Sequence, residues 1–423
     1  MRLNSEEKAL RRLKNRIKLC SRGITLPTGS KPVLHLQSKQ GGAGPQGTAA
    51  YIGETPGDHN SQLSLVIFPE DHYLAQYALP TTWAEPQSDR EPESGMDTKR
   101  GKILQAGSEL FLEKVENNWK GTLPDGRKVT MLSKARFHPY RTFSICLYRN
   151  CRHLEKNEGC KYCTANLLTD KLNFHTRLPD RENVDYLKLA MSNNPVRSVT
   201  LTSGTFESPE RTVKDLISQA RLIKEETGVS VHVQSEPFFD RALMKELSEV
   251  SESIGIFMEF FDEKVRREIC PGKARAFTQD DYMRSWEIAV SCFGWGNVFT
   301  TNLMGFDEDY EVILQGIERA ARIGTMTSIL WTRVGSPQLG AFIPSYLEKE
   351  NNKLLQLHMD AGRILVENSV DRIAGEGSGC LGCHGCNAIS EAIMWARITS
   401  KRDESVSKGD GSTSKRAESV QVV

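Results

Sequence analysis

The sequence predicts an α/β fold built on a parallel sheet. Three observations predict it. From about residue 141 to 378, short β-branched apolar runs alternate with longer helical stretches. The alternation repeats about six times, and each strand-like run ends on polar residues, Gly or Pro. Six such units form either an open, partly closed barrel or a doubly wound sheet, and in both the functional site lies at the C-terminal ends of the strands.

The elements read as follows. FSICLY (143–148) is a strand and DYLKLAMSN a helix. SVTLTSG (198–204) is a strand ending in Gly. TVKDLISQARLIKEETG (212–228) places Val213, Leu216, Ile217, Ala220 and Ile223 at helical spacing and stops at Gly228. VSVHVQSEP (229–237) is a strand stopped by Pro237, RALMKELSEVSES a helix, and IGIFMEFF (254–261) a strand. Helix DDYMRSWEIAVSCFG (280–294) leads to strand NVFTTNLMGF (297–306). Helix YEVILQGIERAARIG (310–324) leads to strand TSILWTRVG (327–335), and KLLQLHMDAGRILVENS (353–369) is the last helix.

Around this core, residues 1–80 read as a small N-terminal unit and 105–140 as a lead-in to the core at 141–370. Residues 81–104, rich in Pro, Ser and acidic groups, read as a linker. Residues 371–397 form a Cys-rich segment, and 398–423, with almost nothing to bury, a disordered tail. The first twenty residues read as a basic amphipathic helix with a solvated face, since Glu6 and Glu7 are wrong for a transit peptide.

The 423 residues suffice for a large core. With 55 basic and 54 acidic side chains the net charge is +1, which argues against a general nucleic-acid or membrane-surface binder. No apolar run approaches the roughly 18–20 residues of a spanning helix, and the charged N-terminus is no secretory signal, so the expected location is the cytoplasm. In a reducing compartment, ten cysteines are expected to ligate metal rather than build disulfides. Seven fall in two groups, 146/151/160/163 and 380/383/386.

Cys151, Cys160 and Cys163 share one short loop after the first core strand, with Tyr162 before the last. By spacing alone this loop fits an iron–sulfur cluster, a zinc ion with Cys146 or His153 as fourth ligand, or incidental buried thiols. A rim position favours an open iron–sulfur site. Cys146 itself reads as a buried strand thiol. Cys380, Cys383 and Cys386 are two residues apart among Gly375, Gly377, Gly379, Gly382 and Gly385, a spacing that suits an auxiliary iron–sulfur cluster, with zinc or no metal as alternatives. A fourth ligand there is His384, another cysteine or the substrate, and His384 is expected to lie outside the ligand shell or in solvent.

The Cys-x8-Cys-x-Tyr-Cys loop resembles the cluster loop of the radical S-adenosylmethionine (SAM) superfamily, whose usual form has three residues between the first two cysteines. More of the chain resembles an orphan radical SAM family related to biotin synthase and found in nitrilase-associated bacterial gene clusters. The stretches are GGAGP (41–45), TLTSGTFESPER (200–211), VQSEP (233–237), CPGKA (270–274), GNVFTTNLMGFDED (296–309) and CLGCHGCNA (380–388). The resemblance implies a partial (βα)6 parallel barrel, a four-iron four-sulfur (4Fe-4S) cluster on Cys151, Cys160 and Cys163, and SAM bound at the open iron. It implies reductive cleavage of SAM and hydrogen-atom abstraction from a small organic substrate, with an electron from ferredoxin or flavodoxin. Tyr162 is then expected near the adenine, and Thr202, Ser203, Gly204 and Thr205 at the methionine amine. Glu236 or Glu259 is expected at the ribose hydroxyls, or in rim salt bridges, and Arg333 at a carboxylate, or as an ordinary rim arginine. A zinc-stabilised, non-enzymatic binding protein and a radical SAM enzyme modifying RNA are the alternatives.

Overall fold

The computed structural model describes residues 4–22, 24–25, 48–53, 61–65, 67–68, 100–105, 108–114, 121–129, 135–148, 151–163, 180–332, 339, 344–347 and 351–410. At its centre seven strands lie side by side in chain order. They are β1 (Ala135–His138), β2 (Thr142–Cys146), β3 (Ser198–Thr202), β4 (Ser230–Ser235), β5 (Ser253–Ile256), β6 (Val298–Met304) and β7 (Thr325–Trp331). β1 is antiparallel to β2, and β2 to β7 all run parallel. The longer helices among the described residues, in chain order, are α1 (Ser5–Arg22), α2 (Asp180–Asn193), α3 (Pro209–Thr227), α4 (Arg241–Val250), α5 (Gln279–Phe293), α6 (Tyr310–Arg322), α7 (Asn351–Glu367) and α8 (Ile389–Asp410). Helices α2 to α6 each join two parallel strands, so the core is the expected α/β partial (βα)6 barrel with a Cys-rich C-terminal extension.

Period-2 patterning divides the strands' two faces. On β2, Phe143 and Ile145 join the main apolar core, whereas Thr142, Ser144 and Cys146 line an internal cavity. On β3, Val199 and Leu201 are core, and Thr200 and Thr202 face the cavity. Each fully buried aliphatic side chain stabilises by roughly 1.5–3 kcal/mol, so the outer face drives folding and leaves the hydroxyl-bearing lumen for function. The helices start on side-chain caps. Ser208 accepts from the Arg211 N–H before α3, and Thr278 and Asp281 form a capping box before α5.

Several boundaries differ from the expectations. α1 keeps an exposed face at Ser5, Glu7, Lys8, Arg12 and Lys14 but buries the other: Leu13, Ile17 and Cys20 are in the main core, and Ala9 packs with Trp395 and Ala396 of α8. The spacing 9, 13, 17, 20 is an apolar stripe among many charges, and tertiary packing outweighs the average polarity. Arg100–Gln105, which spans the expected boundary between the linker (81–104) and the lead-in (105–140), is a strand in a four-stranded antiparallel sheet with Ser108–Lys114, Thr48–Gly53 and Ser61–Leu65. Its pairing with Ser108–Lys114 satisfies backbone groups that composition alone leaves unassigned. α8 runs to Asp410, beyond residue 398, because its buried first half nucleates a helix that propagates cheaply. No described helix is long and apolar enough to cross a membrane.

Candidate active site

A cavity of about 290 Å³ lies inside the sheet. The loop after β2 brings Cys151, Cys160, Tyr162 and Cys163 to its wall. Two sets of backbone bonds hold the loop. On the β3 side, Leu147 N–H donates to Thr202 O (3.0 Å), Gly204 N–H to Tyr148 O (3.0 Å) and Arg152 N–H to Thr205 O (2.8 Å). On the other side, Lys161 N–H donates to Ile269 O (2.8 Å) and Gly272 N–H to Glu158 O (3.0 Å). Gly272 sits so tightly that an added Cβ would lie 2.5 Å from His153 Nδ1 and 2.6 Å from Glu158 O.

Thr202, Ser203, Gly204 and Thr205 all line the cavity. Their carbonyls are partly committed: Thr202 and Thr205 to the loop, and Gly204 to the Ser203 hydroxyl at 2.7 Å. Each carbonyl retains a second lone pair for a ligand. Tyr162 is 6 % exposed and packs edge-on to Phe260, which packs edge-on to Phe306. Arg333 lies outside the described residues.

Glu236 and Glu259 both face the cavity, and both are ion-paired. Glu236 meets His153 Nε2 at 2.7 Å and Arg152 Nη2 at 3.2 Å. Burial opposes its charge, but the bond to His153, with Lys273 and Arg152 nearby, holds its carboxyl below the usual range. Glu259 accepts from Lys273 Nζ at 2.9 Å. The backbone of Glu259 is left-handed, with φ 77°, and bridges to Asn302. This conformation ends the strand expected over 254–261 at Ile256. A non-glycine residue pays for such a conformation, and such strain gathers at functional sites.

The thiols are not equivalent. Burial, then Glu236, pushes Cys151 up to about 11. Contact with Cys270, then burial, raises Cys160. A bound cation would be needed to turn such thiols into thiolates at neutral pH, which is what metal ligation does. Cys270, fully buried, thus stands behind a predicted ligand. None of the ten cysteines is in a disulfide.

Cys380, Cys383 and Cys386 line the same cavity, together with His384. They sit at its other end. Gly379 N–H donates to Ser198 Oγ, the first residue of β3, and Ser253 Oγ, the first residue of β5, donates to Ser378 O. Gln234 Nε2 donates to Cys380 Sγ at 3.1 Å. Burial pushes Cys380 up to about 12 and raises Cys383 further. Of the two places expected for His384, outside the ligand shell or in solvent, solvent is excluded: it is 2 % exposed in the cavity wall. The tight approach of the glycine-rich segment to the strands carries it in. Among the described residues, no three His, Cys, Asp or Glu side chains close on the position of a single ion.

Apart from Arg333, the structure brings all the predicted site residues to one cavity. Sequence reading does not reveal Lys273, Arg16 or the pairing of His153 with Glu236, whereas Gln234, at a strand end, is expected at the opening and lines the cavity. Lys273 lay within the quoted CPGKA stretch, which was the signal available.

No family model matches the chain, and no curated protein matches its sequence. Solved structures with partial likeness include methylornithine synthase (PylB), at 16% identity and TM-score 0.43, covering 61% of this chain and 70% of that one. The FeFe-hydrogenase maturase HydG from Carboxydothermus hydrogenoformans has 17% identity and TM-score 0.42, covering 53% and 51%. A radical SAM methyltransferase from Sphaerobacter thermophilus has 14% identity and TM-score 0.39, covering 65% and 72%.

Proposed function

We propose that the protein is a radical SAM enzyme acting on a small organic substrate, akin to the orphan biotin-synthase-related family. The observation that carries this reading is a set of three thiols, Cys151, Cys160 and Cys163, on one cavity wall beside the C-terminal end of β3. When bound there, a 4Fe-4S cluster and SAM supply reductive cleavage of SAM and, through it, hydrogen-atom abstraction. The chain's part is to hold, orient and enclose. Three thiols leave one iron for a non-protein ligand. Thr202, Ser203, Gly204 and Thr205 offer carbonyl and hydroxyl oxygens to an ammonium group.

Glu236 and Glu259 are fixed by Arg152, His153 and Lys273, and one of the two would accept from the ribose hydroxyls. Tyr162 would pack against the adenine of bound SAM, and Arg333, outside the described residues, would meet a carboxylate. The enclosed lumen shields reactive species from water. A cytoplasmic ferredoxin or flavodoxin supplies the electron.

The test is anaerobic reconstitution with iron and sulfide, followed by a SAM-cleavage assay. Wild-type protein is expected to turn brown and form deoxyadenosine, and Cys160→Ala to stay soluble without forming it. Deoxyadenosine formation by that variant at the wild-type rate, or a colourless protein loaded with zinc, overturns the reading.

A further inference from the structure

We propose that Cys380, Cys383, Cys386 and His384 hold a second iron–sulfur cluster at the N-terminal mouth of the barrel, so that the substrate lumen lies between two metal centres. The lumen's role rests on the radical SAM reading; the metal site stands on its own residues. Four potential soft or borderline donors within seven residues line one cavity. His384 is the most telling. Its ring is buried, lies edge-on to Phe299 of the lumen, and neither ring nitrogen makes a hydrogen bond of normal geometry, although Asn387 and the Leu381 backbone lie alongside. A buried imidazole with no firm partner is costly, and ligation removes that cost. Its backbone is also left-handed, with φ 44°, so the chain accepts strain to present this ring.

The segment is built to sit where it does. Gly379 has φ 54°, and a Cβ there would run into His232 and Thr200 Oγ1 of the barrel strands. A Cβ on Gly385 would run into Pro139. From the other side, α1 delivers buried Arg16, whose Nη2 donates to His384 O (2.8 Å) and whose Nε donates to Asn387 O (2.9 Å). That guanidinium, shared with Glu391 at 3.7 Å, fixes the turn carrying the histidine. It also lies within electrostatic reach of Cys383, where anionic thiolates need a counter-charge.

A zinc ion needs all its ligands within about 2.3 Å of one point, whereas the thiolates of a cluster each bind a different iron; metal analysis separates the two. Gly379 is bonded at the first residue of β3, and Cys380 Sγ reaches up from there to Gln234 Nε2 (3.1 Å) near the end of β4, so the segment enters the lumen from below and faces the Cys151 loop along it.

The full chain and two triple variants, Cys151→Ala/Cys160→Ala/Cys163→Ala and Cys380→Ala/Cys383→Ala/Cys386→Ala, are reconstituted anaerobically with iron and sulfide. Each variant is expected to hold about half the wild-type iron. No iron in the first variant, zinc in place of iron there, or wild-type iron in the second, overturns the proposal. A wild type that takes up iron for a single cluster, all of it kept by the first variant and lost by the second, would instead sink the radical SAM reading and leave this site standing. Should the second variant not fold, pulsed EPR of the reduced first variant decides. A histidine nitrogen coupling is expected, and is lost on adding His384→Ala. Its absence overturns the ligand set.

Discussion

Replacing Lys273 by Met removes the only cation directly bonded to Glu259 among the described contacts. Lys273 Nζ lies 2.9 Å from Glu259 Oε1, with side-chain exposures of 15% and 8%, and 3.3 Å from Phe257 O. The other contact to the carboxylate is the Thr301 hydroxyl at 3.5 Å, too long to replace an ammonium. Breaking a buried pair from one side costs about 3–5 kcal/mol, because the surviving charge stays desolvated. Losing the bond to the Phe257 carbonyl adds about 1 kcal/mol. Against a net stability of about 5–15 kcal/mol, this is a large fraction. Urea unfolding followed by circular dichroism, run on wild type, Lys273→Met, Glu259→Gln and the double variant, measures it. The double variant is expected to be more stable than Lys273→Met, since no unpaired charge remains. If Lys273→Met unfolds within about 1 kcal/mol of wild type, or the double variant loses the sum of the two single changes, the ion pair does not hold this wall of the cavity.

Gly272→Ala pushes a methyl into His153, which is held by Glu236, and into the Glu158 carbonyl, which accepts from the Gly272 N–H itself. It is expected to cost about 1–3 kcal/mol and to weaken iron retention by the Cys151 loop while the C-terminal thiols keep theirs, as iron analysis after gel filtration would show. The buried ring of His358, stacked on Trp331 at 5.2 Å, gives a pH dependence. Burial drives its pKa down to about 4, while in the unfolded chain it protonates near pH 6.5. Below about pH 6.5 the unfolded state therefore binds more protons. Stability is full above that pH and falls as pH drops toward 4, and His358→Phe is expected to flatten the fall in urea midpoints measured across it.

The parallel core was legible because both strand faces are buried and the helices between them carry a clear 3.6-residue period. What escaped was set by long-range contact. Arg16 looks like one more surface charge in a basic helix, yet Leu13 and Ile17 on the same side carry it into the interior, where carbonyls more than 360 residues away in sequence bond it. Lys273 has no periodicity to advertise it, and only its approach to Glu259 gives it a role. The early end of the IGIFMEFF strand was hidden too, since no propensity marks a glutamate that turns left-handed to meet Asn302. Glu236 and Glu259 were read from the strand ends, but their cationic partners come from neighbouring loops that the strand pattern does not describe.

A parallel barrel sorts its connections by direction. Segments that follow a strand emerge at one end, and segments that follow a helix emerge at the other. The Cys151 loop follows β2 and the Cys380 segment follows α7, so topology alone sends the two thiol groups to opposite ends of one lumen. Residues at the N-terminal end of such barrels ordinarily serve stability, and a stabilising plug would be aliphatic. Here the plug puts three thiols and an imidazole against hydroxyl-bearing strands, at the cost of left-handed backbone at His384 and a buried guanidinium. A plug selected for packing alone would gain by losing these groups. If replacing Cys380, Cys383 and Cys386 by Val were to raise stability without lowering the iron content, the plug would be structural, and the opposition of the two thiol groups an accident of topology.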